Sequence, residues 1–560
     1  SLLFTPAIVC HLYMVSFWKF HKYYDSCLLA GSLLVLAVAE TQSDYFAIIP
    51  FWPLRSIAFT LAVIAPLLLL SRRWNRLYTI TIIPLAMLSI FLNCWLCHYY
   101  GRPVDETLIA ILAVSSFGES REFTVEVLKS PHGWLAVAAI CSTVLLCFLS
   151  WHLKFRVTPG MRRTGYLLFL PFLLLTLYFL TSRQPGQILN CATLTRIPVA
   201  IHQYQQLLEG FVKAALTPVL PPELHRTSPD NLLGVIVIGE SATRSHHSLY
   251  GYRRNTNPRL EEWKKELILF DDVISSTVHT ASSLTNTFSF VTLQERTSPR
   301  CSFDTLARHV GFKTTLLSNQ LRWGEFDTPI TLMFKDVNDS YYLKERVANS
   351  RDDQLLPVIQ EKLTAGNGSP TVLYIHLLGS HLPFHHRYPA QAALFPAPGE
   401  ISDSRTPATI QQLTAEYDNS IAFSDRLLAL LLMRLKGLNR PAFLLYFSDH
   451  GEAVYPGMAE WRPRNPDANA CYEVPLFVWL SPEYRRLRPG FAEQLKNNRS
   501  RPHQTDRLLY GILDLCGITY RGFPHEDNLF SPHYRPRTRY THEGKKVYHK
   551  TLPRQSTIFP

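Results

Sequence analysis

The chain has 560 residues, 47% hydrophobic and 18% charged, with a formal net charge of +12. That length exceeds a single core, so two or more domains are expected, and 47% hydrophobic with 18% charged is apolar for a soluble enzyme. The basic balance holds no long Lys/Arg run and no aromatic–basic repeat, which argues against a nucleic-acid reader and for a basic surface facing anionic lipid.

Nearly all of the apolar excess lies before about residue 182. Segments near Cys27–Pro50, Ser56–Leu70, Leu77–Tyr99, Trp134–Leu153 and Thr164–Leu180 approach or exceed the roughly 20 apolar residues that cross a bilayer. Glu40 and Asp44 interrupt the first, the second is short, and Leu2–Trp18 is a further span or an amphipathic lead-in. About five transmembrane helices are therefore expected over 1–181. The basic connections "RRWNR" (Arg72–Arg76) and "HLKFRVTPGMRR" (His152–Arg163) face the cytoplasm by the positive-inside rule. The last span then exits to the other side, and all that follows is extracytoplasmic. No cleavable signal peptide is evident at the start.

The loop at 101–133 faces outward on this topology. Its "DETLIAILAVSSFGESREF" mixes apolar and acidic residues at helical spacing, as a surface-lying helix or an ordinary packed loop helix would. Residues 182–230 form a bridging helix and linker that ends in the Pro-rich "TPVLPPELHRTSPD". From 231 to 560 the pattern alternates. Strands are predicted at Leu233–Ile238, Lys313–Leu317, Thr371–Leu377, Ala442–Phe447 and Val474–Leu480, with helices between them, including Thr409–Lys436 and Thr505–Cys516. Short apolar strands separated by helices imply an α/β domain on a mostly parallel sheet, whose site lies beyond the carboxyl ends of the strands. The ten cysteines show no disulfide framework, and Cys94-Trp-Leu-Cys97 lacks a thioredoxin-like setting.

Two predicted strand ends carry chemistry. "VIVIGES" closes on Glu240 and Ser241, and "AFLLYFSDHGE" closes on Asp449 and His450. Carboxylates and an imidazole meeting past buried strands suit Zn²⁺. The competing possibility is a nucleophile elbow at Ser241. However, Thr243 replaces the second glycine of that motif, at a turn that requires small residues.

Taken together, "VIVIGESATRSHHSLYGYRRNTNP", "DDVISSTVHTASS", "LYIHLLGSHLPFHHRYP" and "YFSDHGEAVY…CYEVPLFVW" resemble the bacterial phosphoethanolamine transferases. These are inner-membrane enzymes with an alkaline-phosphatase- or sulfatase-like periplasmic domain. The branch acting on the lipopolysaccharide core looks closest, and the colistin-resistance, lipid A-modifying enzymes are relatives. The resemblance implies that Glu240, Asp449, His450 and Thr280 are zinc ligands, with Thr280 also the nucleophile. It implies that His381 stabilises the transferring charge, acts as acid or base, or helps hold a second zinc. One zinc site is expected. A second of the usual kind lacks its histidine, because none lies between His450 and Tyr472 unless His503 substitutes. The histidines near His381 (His376, His385 and His386) are expected to be exposed loop residues. Glu119, Glu122 and Ser116 match a donor-lipid segment, although Ser115, Ser116, Phe117 and Gly118 replace its usual threonine and asparagine.

The implied activity moves phosphoethanolamine from phosphatidylethanolamine, by way of phosphothreonine, to a lipopolysaccharide acceptor: core heptose, its phosphate or lipid A. Periplasmic glucan is an alternative acceptor. A glycerol-phosphate transferase and a sulfatase- or phosphodiesterase-type hydrolase share the layout, though "VHTASS" lacks the sulfatase nucleophile motif. A membrane scaffold with a degenerate hydrolase domain would not need all four site residues. The expected state is a monomer in a Gram-negative inner membrane, with no nucleic-acid partner.

Overall fold

The computed structural model describes residues 193–553, except 295–299, 322–328, 344–349, 366–367, 397–406, 455–460 and 462–463, together with scattered positions from 69 to 167. The chain divides into two compact units, 1–106 with 124–203, and 107–123 with 204–560. Among the described residues no helix is long and apolar enough to cross a membrane. The expected spans fall almost wholly outside the described residues, as do Glu119, Glu122 and Ser116. Within the expected bridge, helix α1 covers Thr193–Leu216 and buries Phe211 against the core of the second unit.

That second unit is built on a seven-stranded sheet. In chain order its strands are β1 (Leu233–Gly239), β2 (Ile268–Phe270), β3 (Lys313–Ser318), β4 (Asp339–Tyr342), β5 (Thr371–His376), β6 (Ala442–Ser448) and β7 (Leu476–Leu480). Across the sheet the order is β2-β7-β6-β1-β5-β3-β4. The pairs β6/β1, β1/β5, β5/β3 and β3/β4 are parallel, whereas β7 is antiparallel to both of its neighbours. The five predicted strands all exist. β2 and β4 were not predicted, because each is too short to show a periodicity.

Every residue of β1 and β6 is buried, as expected for central strands covered on both faces. Alternation assigns the side chains. Ile236, Ile238, Phe443, Leu445 and Phe447 face one layer with Leu508 and Ile512, whereas Val235, Val237, Leu444 and Tyr446 face the other. In that second layer helix α2 (Ala408–Lys436) lays Leu427, Leu428, Leu431, Leu432 and Leu435 on the sheet. Burying each such leucine stabilises by about 1.5–3 kcal/mol. The same helix carries Tyr417 and Asp418 to the end of the sheet where the candidate site lies.

Candidate metal centre

The sheet register brings the centre together. Gly239 of β1 stands opposite Ser448 of β6 in a parallel pair, so one step further Glu240 and Asp449 leave the sheet as neighbours. The Asp449 N–H donates to the Gly239 carbonyl at 3.0 Å. Carboxylate oxygens of Glu240 and Asp449 and a ring nitrogen of His450 all lie within 4.8 Å of one another, and all three residues are buried. From the neighbouring strand, the turn after β5 closes over Glu240, with Ser380 N–H donating to the Glu240 carbonyl at 2.9 Å. Gly379 makes that approach possible: its φ is +47°, and a Cβ there would sit 2.8 Å from the Glu240 carbonyl oxygen.

Ser241 is a positioning residue in this arrangement. Its hydroxyl donates to Glu240 Oε1 at 2.8 Å, and its backbone N–H donates to Asp449 Oδ1 at 3.0 Å. Its φ of 56° holds a left-handed turn that is costly for a residue with a Cβ. Tyr417 Oη locks the turn by donating to the Ser241 carbonyl at 2.6 Å and accepting from Thr243 N–H at 2.8 Å. With its hydroxyl committed to the carboxylate and its side chain buried, Ser241 is not presented as an elbow nucleophile would be.

Thr280 reaches the same carboxylate from a separate segment. Its hydroxyl lies 3.1 Å from Glu240 Oε2 and 3.3 Å from Oε1. It is the first residue of a helix, Thr280–Phe288, whose N-cap is His279 with extended φ and ψ. The threonine thus stands just inside the helix N-terminus, where backbone N–H groups and the dipole favour an anion.

The electrostatics fit a cation. Burial works to raise the Glu240 carboxyl, but His450 beside it, with His381 and Arg464 nearby, holds it well below the usual carboxylate range. For Asp449, burial and then the Glu240 charge push the carboxyl up to about 7, against the pull of His450. Burial disfavours the His450 cation, yet the charges of Asp449 and Glu240 outweigh it and raise that imidazole.

The donor atoms fit as well. His450 Nδ1 donates to the Gly451 carbonyl at 2.8 Å, so the tautomer leaves the Nε2 lone pair facing Glu240 Oε1 at 3.4 Å and Asp449 Oδ2 at 3.5 Å. Among the described residues neither His450 Nε2 nor Asp449 Oδ2 has a partner in good hydrogen-bond geometry, although both are buried. Buried polar atoms left unpaired are uncommon and call for an explanation. A divalent ion on two carboxylate oxygens and one imidazole nitrogen supplies it, and that donor set suits zinc.

The other predicted residues are placed as follows. His381 lies on the turn after β5, outside the three-residue metal group, with Nδ1 donating to the Leu382 carbonyl at 2.7 Å. His385 and His386 are exposed, as expected. His376 is not. It is the last residue of β5, buried, and desolvation lowers it to about 4 against the pull of the Glu240 charge. The expectation failed there because His376 lies inside the predicted strand Thr371–Leu377, whose end is buried in the sheet. His503 is buried on Tyr534 Oη at 3.0 Å and is not in the metal group.

Three neighbours were missed. Gln320 lies just past β3 with Nε2 3.4 Å from Glu240 Oε2 and 3.2 Å from the Leu377 carbonyl. Asp352 accepts from the N–H groups of Leu378 and Gly379, each at 2.8 Å, and so anchors the turn bearing His381. Arg464 places Nη2 3.7 Å from Glu240 Oε1. Inspecting the end of every strand would have found Gln320. Asp352 and Arg464 sit in segments with no periodicity to mark them.

The sulfatase family profile matches residues 233–518 of this chain. The phosphoethanolamine transferase EptC of Escherichia coli K12 is 28% identical over 375 residues, which are 63% of this chain and 64% of the relative. The chain thus spans less than two thirds of that curated relative. The C-terminal periplasmic domain of E. coli EptC, solved in complex with zinc, superposes with a TM-score of 0.55 at 26% identity, covering 59% of this chain and 96% of that one. The integral membrane lipooligosaccharide phosphoethanolamine transferase A of Neisseria meningitidis shares the fold, with a TM-score of 0.64 at 19% identity over 91% of this chain and 98% of that one. With half of its length matched by the family profile and phosphoethanolamine transferases among its relatives, this chain belongs to the sulfatase family.

Proposed function

We propose that the chain is an inner-membrane phosphoethanolamine transferase whose periplasmic domain works through a phosphothreonine on Thr280. The observation that carries this reading is the Thr280 hydroxyl, 3.1 Å from Glu240 Oε2 at the start of a helix and beside the buried Glu240–Asp449–His450 group. Glu240, Asp449 and His450, with Thr280, would hold a zinc ion. When bound, the ion supplies Lewis-acid polarisation of a phosphoryl oxygen and lowers the pKa of the threonine hydroxyl.

The chain's own residues do the rest. Thr280 Oγ1 forms the new bond to the phosphorus of phosphatidylethanolamine while the bond from phosphorus to the diacylglycerol oxygen breaks. The threonine proton leaves along its hydrogen bond toward Glu240, and the departing alcohol takes up one proton in its place, so the step neither gains nor loses a proton. In the second half the acceptor oxygen bonds to phosphorus as the bond from phosphorus to Thr280 Oγ1 breaks, and the acceptor's proton replaces the one Thr280 gave up. The expected spans would hold the site at the headgroups where the donor lives. A lipopolysaccharide core sugar, its phosphate or lipid A is the acceptor in this reading. The added ammonium would weaken attraction of cationic peptides such as polymyxin.

The test is mass spectrometry of lipopolysaccharide and periplasmic glucan from a Gram-negative host expressing wild type or Thr280→Ala. A gain of phosphoethanolamine in the wild type alone supports the reading, and identical spectra from the two strains overturn it.

A further inference from the structure

Arg464 is anchored at its backbone and active at its tip. Its N–H donates to both oxygens of the buried Glu452 carboxylate, at 3.0 and 3.3 Å, and its φ is 51°. From that fixed base Nη2 reaches His381 Nε2 at 3.1 Å and comes within 3.7 Å of Glu240 Oε1, with the side chain 22% exposed. Because His381 Nδ1 donates to the Leu382 carbonyl, its Nε2 accepts from Arg464. The 3.7 Å approach to Glu240 is too long for a hydrogen bond. Among the described residues the guanidinium meets no carboxylate closer than this, and of its five N–H donors one is seen hydrogen-bonded, to His381.

Charge accounting says what those donors are for. Two carboxylates, Glu240 and Asp449, cancel a divalent ion, so the loaded centre is close to neutral. A phosphodiester brings one negative charge, and oxyanion character grows as phosphorus becomes five-coordinate. Among the described residues, Arg464 brings a positive charge to this side, 3.7 Å from Glu240.

We propose that Arg464 is a catalytic residue that binds phosphoryl oxygens. Its planar fork would hold the non-bridging oxygens of the transferring phosphodiester beside His381, as the second positive centre next to a single metal ion. This rests on the transferase reading only for the identity of the phosphodiester. No bond to Arg464 forms or breaks, and its proton stays in place.

The experiment uses the full chain in detergent as wild type, Arg464→Lys and Arg464→Gln, each loaded with zinc. Three quantities are measured: tightly held zinc per chain, affinity for inorganic phosphate, and the rate at which phosphatidylethanolamine converts Thr280 to its phosphoethanolamine adduct. One zinc per chain is expected in all three proteins. Arg464→Gln should bind phosphate at least tenfold more weakly and form adduct roughly 10²–10³-fold more slowly, the usual loss when one oxyanion donor is removed. Arg464→Lys should fall between, because it keeps the charge but not the fork. Two tightly held ions in the wild type, loss of zinc from Arg464→Gln, or unchanged phosphate binding in Arg464→Gln would each overturn the proposal. A wild type that binds phosphate in the Arg464-dependent way yet never forms the adduct leaves Arg464 assigned and sinks the transferase reading instead.

Discussion

Ser241 bridges the two carboxylates of the metal group, its hydroxyl on Glu240 Oε1 at 2.8 Å and its N–H on Asp449 Oδ1 at 3.0 Å. The residue that most resembles a nucleophile in the sequence thus positions two of the proposed ligands, while Thr280 meets the same glutamate from another segment. Ser241→Ala removes one buried hydrogen bond, worth about 1 kcal/mol, and leaves the Thr280 hydroxyl in place. It should keep the covalent adduct at reduced rate, whereas Thr280→Ala should form none. Intact-mass analysis after incubation with phosphatidylethanolamine distinguishes the two, and an adduct on Thr280→Ala would move the nucleophile elsewhere.

Metal removal should expose the repulsion built into the centre. In the metal-free protein Asp449 carries a carboxyl pushed up to about 7 by burial and by Glu240, so Asp449→Asn should melt no lower than wild type. With zinc the order should reverse. Free zinc at a hundred times its dissociation constant stabilises the folded state by about 2.7 kcal/mol, and the asparagine variant gains much less. Melting curves with chelator and with zinc give both comparisons. A metal-independent ranking would count against a metal at this triad.

The pH dependence of zinc binding has a definite sign. Binding requires Asp449 ionised and His450 neutral, and both groups sit above their ordinary values, Asp449 at about 7. Protons therefore compete with the ion below about pH 7. The apparent affinity should climb as pH rises through that value and flatten once both groups have lost their protons. Competition titrations against a chromophoric chelator at several pH values, corrected for the chelator's own titration, would show a flat profile if the donors were already free of protons.

Gly379→Ala tests the closure of the turn over Glu240. The new Cβ would meet the Glu240 carbonyl at 2.8 Å while holding a φ of +47°. The backbone term alone costs about 1–2 kcal/mol. Relief of the clash would also carry His381 and the Glu240 backbone apart. We expect a lower melting temperature together with loss of zinc affinity. A variant with wild-type zinc affinity would show that the turn does not support the ligand.

Much of this architecture was legible because β1, β5 and β6 are continuous apolar runs with chemistry at their carboxyl ends, and a parallel sheet gathers those ends. Glu240, Asp449 and His450 were readable on those grounds. Thr280 was not, for "STVHTASSLTNTFSF" offers many hydroxyls and only tertiary packing selects one; the family resemblance pointed to it. Helical spacing marked α2, but nothing in it announced that Tyr417 would clamp the Ser241 turn. Arg464 lies in a stretch without pattern, and its place follows from the Glu452 anchor, a contact no spacing encodes.

The parallel pairing of β1 with β6 also sets a schedule. Ser241 and Asp449 are 208 residues apart in the chain, so no short peptide contains the donor set. During synthesis the Glu240 half emerges long before the Asp449 half, and neither alone contains the donor set. Zinc capture should therefore follow strand pairing, which makes occupancy a receipt for a finished sheet and keeps partly made chains from drawing on the local zinc supply.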